Sequence, residues 1–146
     1  QTCALPISVF LYDKRNNVVA AIHSGWRGCV NGILYQALLL LQKEFNTQGK
    51  DINCFIGPCA GKCCYEIKKD VASFFDGKFL KEINENTFLL DMKSILIEEC
   101  KKFQIPDDNI ELSNVCTIHE KKYHSFRRDG KLSGRMGGLI GIKSFC

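Results

Sequence analysis

The sequence predicts a mixed-sheet α+β domain. Three observations carry that prediction. Short apolar runs alternate along the chain with stretches whose apolar residues recur at helical spacing. The first two runs, residues 9–12 and 18–22, are split only by Asp13-Lys14-Arg15-Asn16-Asn17. So short a link makes an antiparallel pair, whereas a doubly wound parallel sheet needs a crossover between its strands.

Each element follows from its residues. Asn16-Asn17 tolerates the left-handed backbone of a tight turn, so residues 9–22 read as a β-hairpin. Ile33, Leu34, Ala37, Leu38, Leu41 and Phe45 predict a helix over 32–45, with Gly49 just beyond its end. Residues 52–56 read as a strand stopped by Gly57-Pro58. Ile67, Val71, Phe74 and Phe75 predict a second helix, starting at Glu66 and ending before Gly77. Residues 76–86 are polar and weakly patterned and read as a connection, followed by a short strand at 87–90. Asp91 is a good N-cap for a third helix carrying Ile95, Leu96, Cys100 and Phe103, and Pro106 forbids its continuation. Residues 110–112, the stretch near Val115, the flanks of a basic loop and residues 139–142 read as strands.

Composition narrows the function classes. The chain has 146 residues, 45% hydrophobic and 10% aromatic, which suits one domain with a substantial core. No apolar run approaches the ~18 residues of a membrane span, and the start shows no basic region followed by an apolar one. Nine cysteines, an odd number that includes adjacent Cys63-Cys64, fit a reduced cytoplasmic protein better than a disulfide framework. The net charge of +4 is mild and spread out, apart from Arg127, Arg128, Lys131 and Arg135. No long basic stripe with interleaved aromatics marks a nucleic-acid binder. The local cluster reads either as a small-anion site or as a solvated loop. Residues 1–7, Gln-Thr-Cys-Ala-Leu-Pro-Ile, match the translation of a common sequencing-adapter sequence. They are expected to be a non-native leader ahead of a single domain over 8–146.

Three constellations can carry chemistry. The first is His23-Ser24-Gly25-Trp26-Arg27-Gly28, at the end of a predicted strand, where open α/β sheets tend to bind ligands. His23 can ligate a metal, act as a base, or be a structural histidine beside a core Trp26. Arg27 can clamp an anion through its planar fork. The second is Gly57-Pro58-Cys59-Ala60-Gly61-Lys62-Cys63-Cys64-Tyr65-Glu66. Gly57 and Gly61 would let backbone amides face a ligand ahead of the helix at Glu66. The spacing Cys59-x-x-x-Cys63-Cys64 invites a soft-metal reading but is not that of a paired structural zinc site. Cys59, Cys63 or Cys64 can also be read as a nucleophile, which needs an activating base nearby, or as packing the pocket wall. The third runs from Tyr123-His124-Ser125-Phe126-Arg127-Arg128-Asp129-Gly130 to Gly134-Arg135, preceded by Cys116-Thr117. Arg128 and Arg135 are the anion candidates, and Arg127 with Asp129 reads alternatively as an ion pair.

These three motifs, in this order from Val18 to Arg135, resemble those of the YfiH family. That family is also called the laccase-domain or polyphenol-oxidase family, and more recently purine nucleoside phosphorylase. The departures are Ala60 for the usual Ile and Phe126 for the usual Tyr. The resemblance implies a layered α/β/β/α domain, here N-terminally truncated. It implies cleavage of adenosine, inosine, guanosine and methylthioadenosine with phosphate, and deamination of adenosine. It assigns catalytic roles to His23 and Arg27, and substrate or phosphate binding to Arg128, Arg135, Gly57 and Cys59. It also implies zinc, with His23 as one ligand and the other two missing from this chain, so that activity here is impaired. His119 and His124 receive no ligand role. Two older functions within the family are copper-dependent polyphenol oxidation and peptidoglycan editing by hydrolysis. A multicopper oxidase needs roughly ten His and Cys ligands, and this chain has three His. A non-enzymatic fragment that only binds a partner is the remaining reading. Nothing in the sequence sets the oligomeric state.

Overall fold

The computed structural model describes residues 7–143. In chain order the elements are β1 (Ile7–Asp13), β2 (Val18–Ser24), α1 (Trp26–Val30), α2 (Ile33–Phe45), β3 (Ile52–Ile56), β4 (Glu66–Lys68), α3 (Lys69–Ala72), β5 (Leu80–Asn84), β6 (Thr87–Leu90), α4 (Met92–Lys102), β7 (Ile110–Leu112) and α5 (Phe126–Asp129). They build two sheets. The first has the order β2-β1-β3-β7 and the second β4-β6-β5. β1 runs antiparallel to both β2 and β3, β7 runs parallel to β3, and the second sheet is wholly antiparallel. The α+β class with a mixed sheet is therefore the observed one. Of the segment expected as a leader, residues 1–6 lie outside the described residues. Ile7 opens β1 and is fully buried.

Alternation explains β1. Ile7, Val9, Leu11 and Asp13 are buried, and the residues between them only partly so. The apolar face joins Leu34, Leu38 and Leu41 of α2 and Ile95, Leu96 and Cys100 of α4 in one core. Burying each such leucine contributes about 1.5–3 kcal/mol. α2 starts after Gly32, whose φ of 63° is left-handed, and has no side-chain cap of its own. Glu99 of α4 supplies one instead: its Oε2 accepts the Tyr35 N–H at 2.9 Å. A carboxylate suits the positive end of the α2 dipole. Among the described residues, no helix is long and apolar enough to cross a membrane.

Three sequence expectations need correction. The helix placed at Glu66 is a strand followed by a single helical turn. Tyr65 and Ile67 are buried while Glu66 and Lys68 are exposed, so the local period is two. Ile67 pairs with Phe88 across to β6. The connection at 76–86 contains β5. Four of its five residues are exposed, so an edge strand held by backbone pairing to β6 left no apolar alternation to read. The flanks of the basic loop and residues 139–142 form no strand among the described residues. Leu139 is 95% exposed, and Gly138 lies so close to Phe10 that a Cβ there would collide with the ring.

The first hairpin is closed by Asp13, which is fully buried. Its Oδ1 accepts the N–H groups of Arg15 and Asn16, and its Oδ2 accepts the Asn16 amide and the Thr47 hydroxyl at 2.6 Å. Burial alone would raise its pKa, but the donors from Thr47, Asn16 and Arg15 outweigh it and hold the carboxyl below its usual value. The stabilisation is therefore full above the unfolded value of about 3.9 and is lost as pH falls through the lower folded value. Asp13→Asn puts an amide donor among donors and should cost about 1–3 kcal/mol. Denaturant melts at pH 7 and pH 3 check this: the gap between wild type and variant should shrink at the lower pH.

Candidate active site

The sheet register sets the site. Since β1 opposes both neighbours, β2 and β3 point the same way, and β7 follows β3. The C-terminal ends of all three thus share one edge of the sheet. His23 lies opposite Ser8, and the Ser8 carbonyl accepts the Gly57 N–H at 2.9 Å. The His23 and Gly57 motifs are therefore separated by a single strand, roughly 10 Å between β2 and β3.

After β2 the chain turns directly into α1. Gly28 makes that possible, because a Cβ there would meet Ser24 Oγ at 2.9 Å and Ile33 Cγ2 at 3.1 Å. His23 and Arg27 are both exposed. The Arg27 guanidinium lies over the Trp26 ring, 4.3 Å from its centre. The second and third motifs meet through an isolated parallel bridge, Cys59 to Cys116, with the Thr117 N–H donated to the Cys59 carbonyl at 2.9 Å. Arg127 stands over the Tyr65 ring, 5.3 Å from its centre. A cavity of about 180 Å³ is lined by Trp26, Tyr65, Ile67, Val71 and Arg127, together with the charged Glu66, Lys68 and Asp70. It takes one residue or more from each motif. Tyr65 is 1% exposed, and its hydroxyl lies within the influence of the Arg127 guanidinium. Burial pushes its pKa up, and the nearby charge of Arg127 offsets part of that.

The anion-binding expectations divide. Arg128 is fully engaged within its own loop. Its Nε and Nη2 donate to the Asp129 carboxylate at 2.7 Å each, Nη2 also to the Tyr123 carbonyl, and Nη1 to the carbonyls of Thr117, Ile118 and Glu120. Hydrogen bonding to Asp129 raises the Arg128 pKa and lowers that of Asp129. Arg128 braces the loop, and the ion pair is Arg128–Asp129 rather than Arg127–Asp129. The Gly57 N–H is taken by Ser8, and the Gly61 N–H by Cys116 Sγ at 3.3 Å. Neither glycine offers an amide to a ligand, and the helix expected behind them is absent. Cys59 is fully buried, and burial pushes its thiol up to about 12, so it packs as a neutral side chain. Arg135 is exposed and donates to the Ser133 and Gly134 carbonyls.

One grouping was invisible in the spacing. Cys63, Cys64 and Cys116 bring three sulfurs within 4.8 Å of one another, a group that can hold a metal ion. His23 belongs to no such group among the described residues. Burial raises the Cys64 thiol to about 12. Burial also raises Cys116, but backbone N–H groups of Gly61, His119 and Ile118 more than reverse this and bring it below its usual value. Sequence distance hid the pairing: the Cys59–Cys116 bridge and the Gly61 N–H donated to Cys116 Sγ bring Cys116 to the Cys63-Cys64 turn.

Residues 3–143 match the sequence model of the family described as multi-copper polyphenol oxidoreductase laccase. The chain belongs to that family. It is 38% identical over 138 residues to a purine nucleoside phosphorylase of Clostridium acetobutylicum, covering 92% of this chain and 58% of that one. A purine nucleoside phosphorylase of Bacteroides thetaiotaomicron is 35% identical over 152 residues, covering 93% and 53%. The crystal structure of a hypothetical protein YfiH from Bacillus licheniformis superposes with a TM-score of 0.81 at 28% identity, covering 86% of this chain and 50% of that one. The chain thus spans about half the length of the relatives it matches.

The loop geometry predicts that Arg128→Ala lowers the melting temperature and that Arg128→Lys does not restore it, because an ammonium cannot make the bidentate contact with Asp129. Thermal melts of the three proteins test this. A melting temperature unchanged in the alanine variant would free Arg128 for a ligand.

Proposed function

We propose that this protein cleaves purine nucleosides with phosphate, at the sheet edge where the three motifs meet. The observation that carries the reading is the cavity shared by Trp26, Tyr65 and Arg127, one residue from each motif, with the Arg27 guanidinium over the Trp26 ring. Relatives named purine nucleoside phosphorylase support it.

The chemistry asks for three things. An oxygen of phosphate attacks the ribose C1′ as the bond to the base nitrogen breaks, so the dianion needs a cationic seat. Arg27 and Arg127 provide it, with Arg135 as a further cation on the same loop as Arg127. The base needs a flat apolar wall, for which the partly exposed Trp26 is the candidate, with Tyr65 buried behind it as part of the cavity lining. The departing base needs a proton, and we assign that role to His23, exposed at the strand end. Adenosine, inosine, guanosine and methylthioadenosine share the features these groups read, a purine and a ribose C1′. These roles are assigned to side chains alone.

Inosine turnover with and without phosphate tests the reading, on this chain and on a protein of its relatives' full length. Turnover should require phosphate. Arg27→Ala and Arg127→Ala should each reduce it by about 10²-fold or more with unchanged melting temperature, as expected when a charge stabilising the transition state is lost. Turnover that ignores phosphate would replace phosphorolysis by hydrolysis. Arginine variants with full activity would remove both residues from the site.

A further inference from the structure

We propose that Cys63, Cys64 and Cys116 form a three-thiolate site for a thiophilic closed-shell cation, Cu(I) or Zn(II), distinct from the site at His23. The three sulfurs lie within 4.8 Å of one another. Sulfurs that share one ion at about 2.3 Å stand a little under 4 Å apart, so small side-chain rotations close the set. Cys64 and Cys63 already approach to 3.4 Å.

The backbone is shaped for this cluster. Gly61 sits against it, and a Cβ there would meet Cys116 Cβ at 3.1 Å and the sulfurs of Cys116 and Cys63 at 3.4 Å each. Only glycine leaves the sulfurs that close to the turn. The Gly61 N–H points at Cys116 Sγ, 3.3 Å away, and an N–H donated to sulfur favours the thiolate that a metal needs. Access is open. Cys63 is exposed, and Cys63 and Cys116 line a cavity of about 280 Å³ with Gly61, Lys93, Ser94 and Asn114. Lys93 does not compete for the sulfurs, because its Nζ is donated to the Ser113 and Val115 carbonyls. The other described cysteines differ in kind: Cys29, Cys54, Cys59 and Cys100 are buried in the core.

The donor set selects the ion. Three thiolates with no carboxylate or imidazole in the group suit soft cations and disfavour magnesium, calcium and manganese. Cu(I) is satisfied by three sulfurs, whereas Zn(II) would keep a fourth position for water.

The test uses the reduced full chain under anaerobic conditions, titrated with Cu(I) alone and with Zn(II) alone against a chromophoric chelator. One equivalent of at least one of the two should bind tightly, and which one identifies the cation. Replacing Cys63, Cys64 and Cys116 together by Ser should abolish it. Gly61→Ala should weaken it by about 10–100-fold, the range for disturbing groups that support the ligands. His23→Ala should leave the stoichiometry unchanged, which separates this proposal from any metal at the nucleoside site. Circular dichroism melts of each variant confirm the fold. If the melt shows the triple variant unfolded, extended X-ray absorption fine structure at the metal K-edge of the loaded wild type decides: three metal–sulfur bonds at about 2.3 Å are expected, and fewer than three would overturn the proposal. Retention of the ion by a folded triple variant, or loss of it on His23→Ala, would overturn the proposal. So would failure of both cations to bind.

Discussion

The structure depends on one strand lying between two others that it opposes. β1 hydrogen-bonds antiparallel to β2 on one side and to β3 on the other, so β2 and β3 must release the chain at the same edge. Every later feature of the site follows from that. The His23 turn and the Gly57 turn leave the sheet a single strand apart, joined through Ser8. β7, parallel to β3, delivers the Cys116 segment beside them. The pairing is held from below by Asp13 and from the side by the core of α2 and α4. The site is therefore fixed by a backbone ladder and a packed core, and its side chains are free to serve chemistry.

The arginines show how charge is divided on this edge. Arg128 donates to a carboxylate and to four carbonyls, and every donor it has is engaged. Arg27 and Arg127 instead rest on the faces of Trp26 and Tyr65. A cation–π contact is weaker than a charge-assisted, bidentate hydrogen bond. Arg27 and Arg127 are therefore less constrained than Arg128, and under the proposed function they are the guanidiniums that would meet phosphate.

Much of the fold was legible in the sequence. The β-hairpin, the strand over 52–56, the strand over 87–90 and the Asp91-capped helix all follow from local signals, because each has a buried face or a clear punctuating residue. What escaped was structure without a buried face. β5 is an exposed edge strand, and the single turn α3 borrows Val71 from what looked like one helical stripe with Ile67. The three motifs converge at one edge of the sheet, but their spacing does not reveal which of their side chains are engaged within the structure. That Arg128 faces its own loop, and that Cys116 joins Cys63 and Cys64, are consequences of contacts between residues far apart in sequence. No local spacing encodes them.

The chain contains a single tryptophan, Trp26, and it lines the cavity where the three motifs meet. Its emission is the most direct reporter on whether that cavity receives the nucleoside. Titration with inosine in the presence of phosphate should change Trp26 fluorescence saturably, and Tyr65→Leu or Arg127→Ala should weaken the apparent affinity while His119→Ala leaves it unchanged. Saturable nucleoside binding by calorimetry with no response from Trp26 would place the ligand elsewhere and contradict the account.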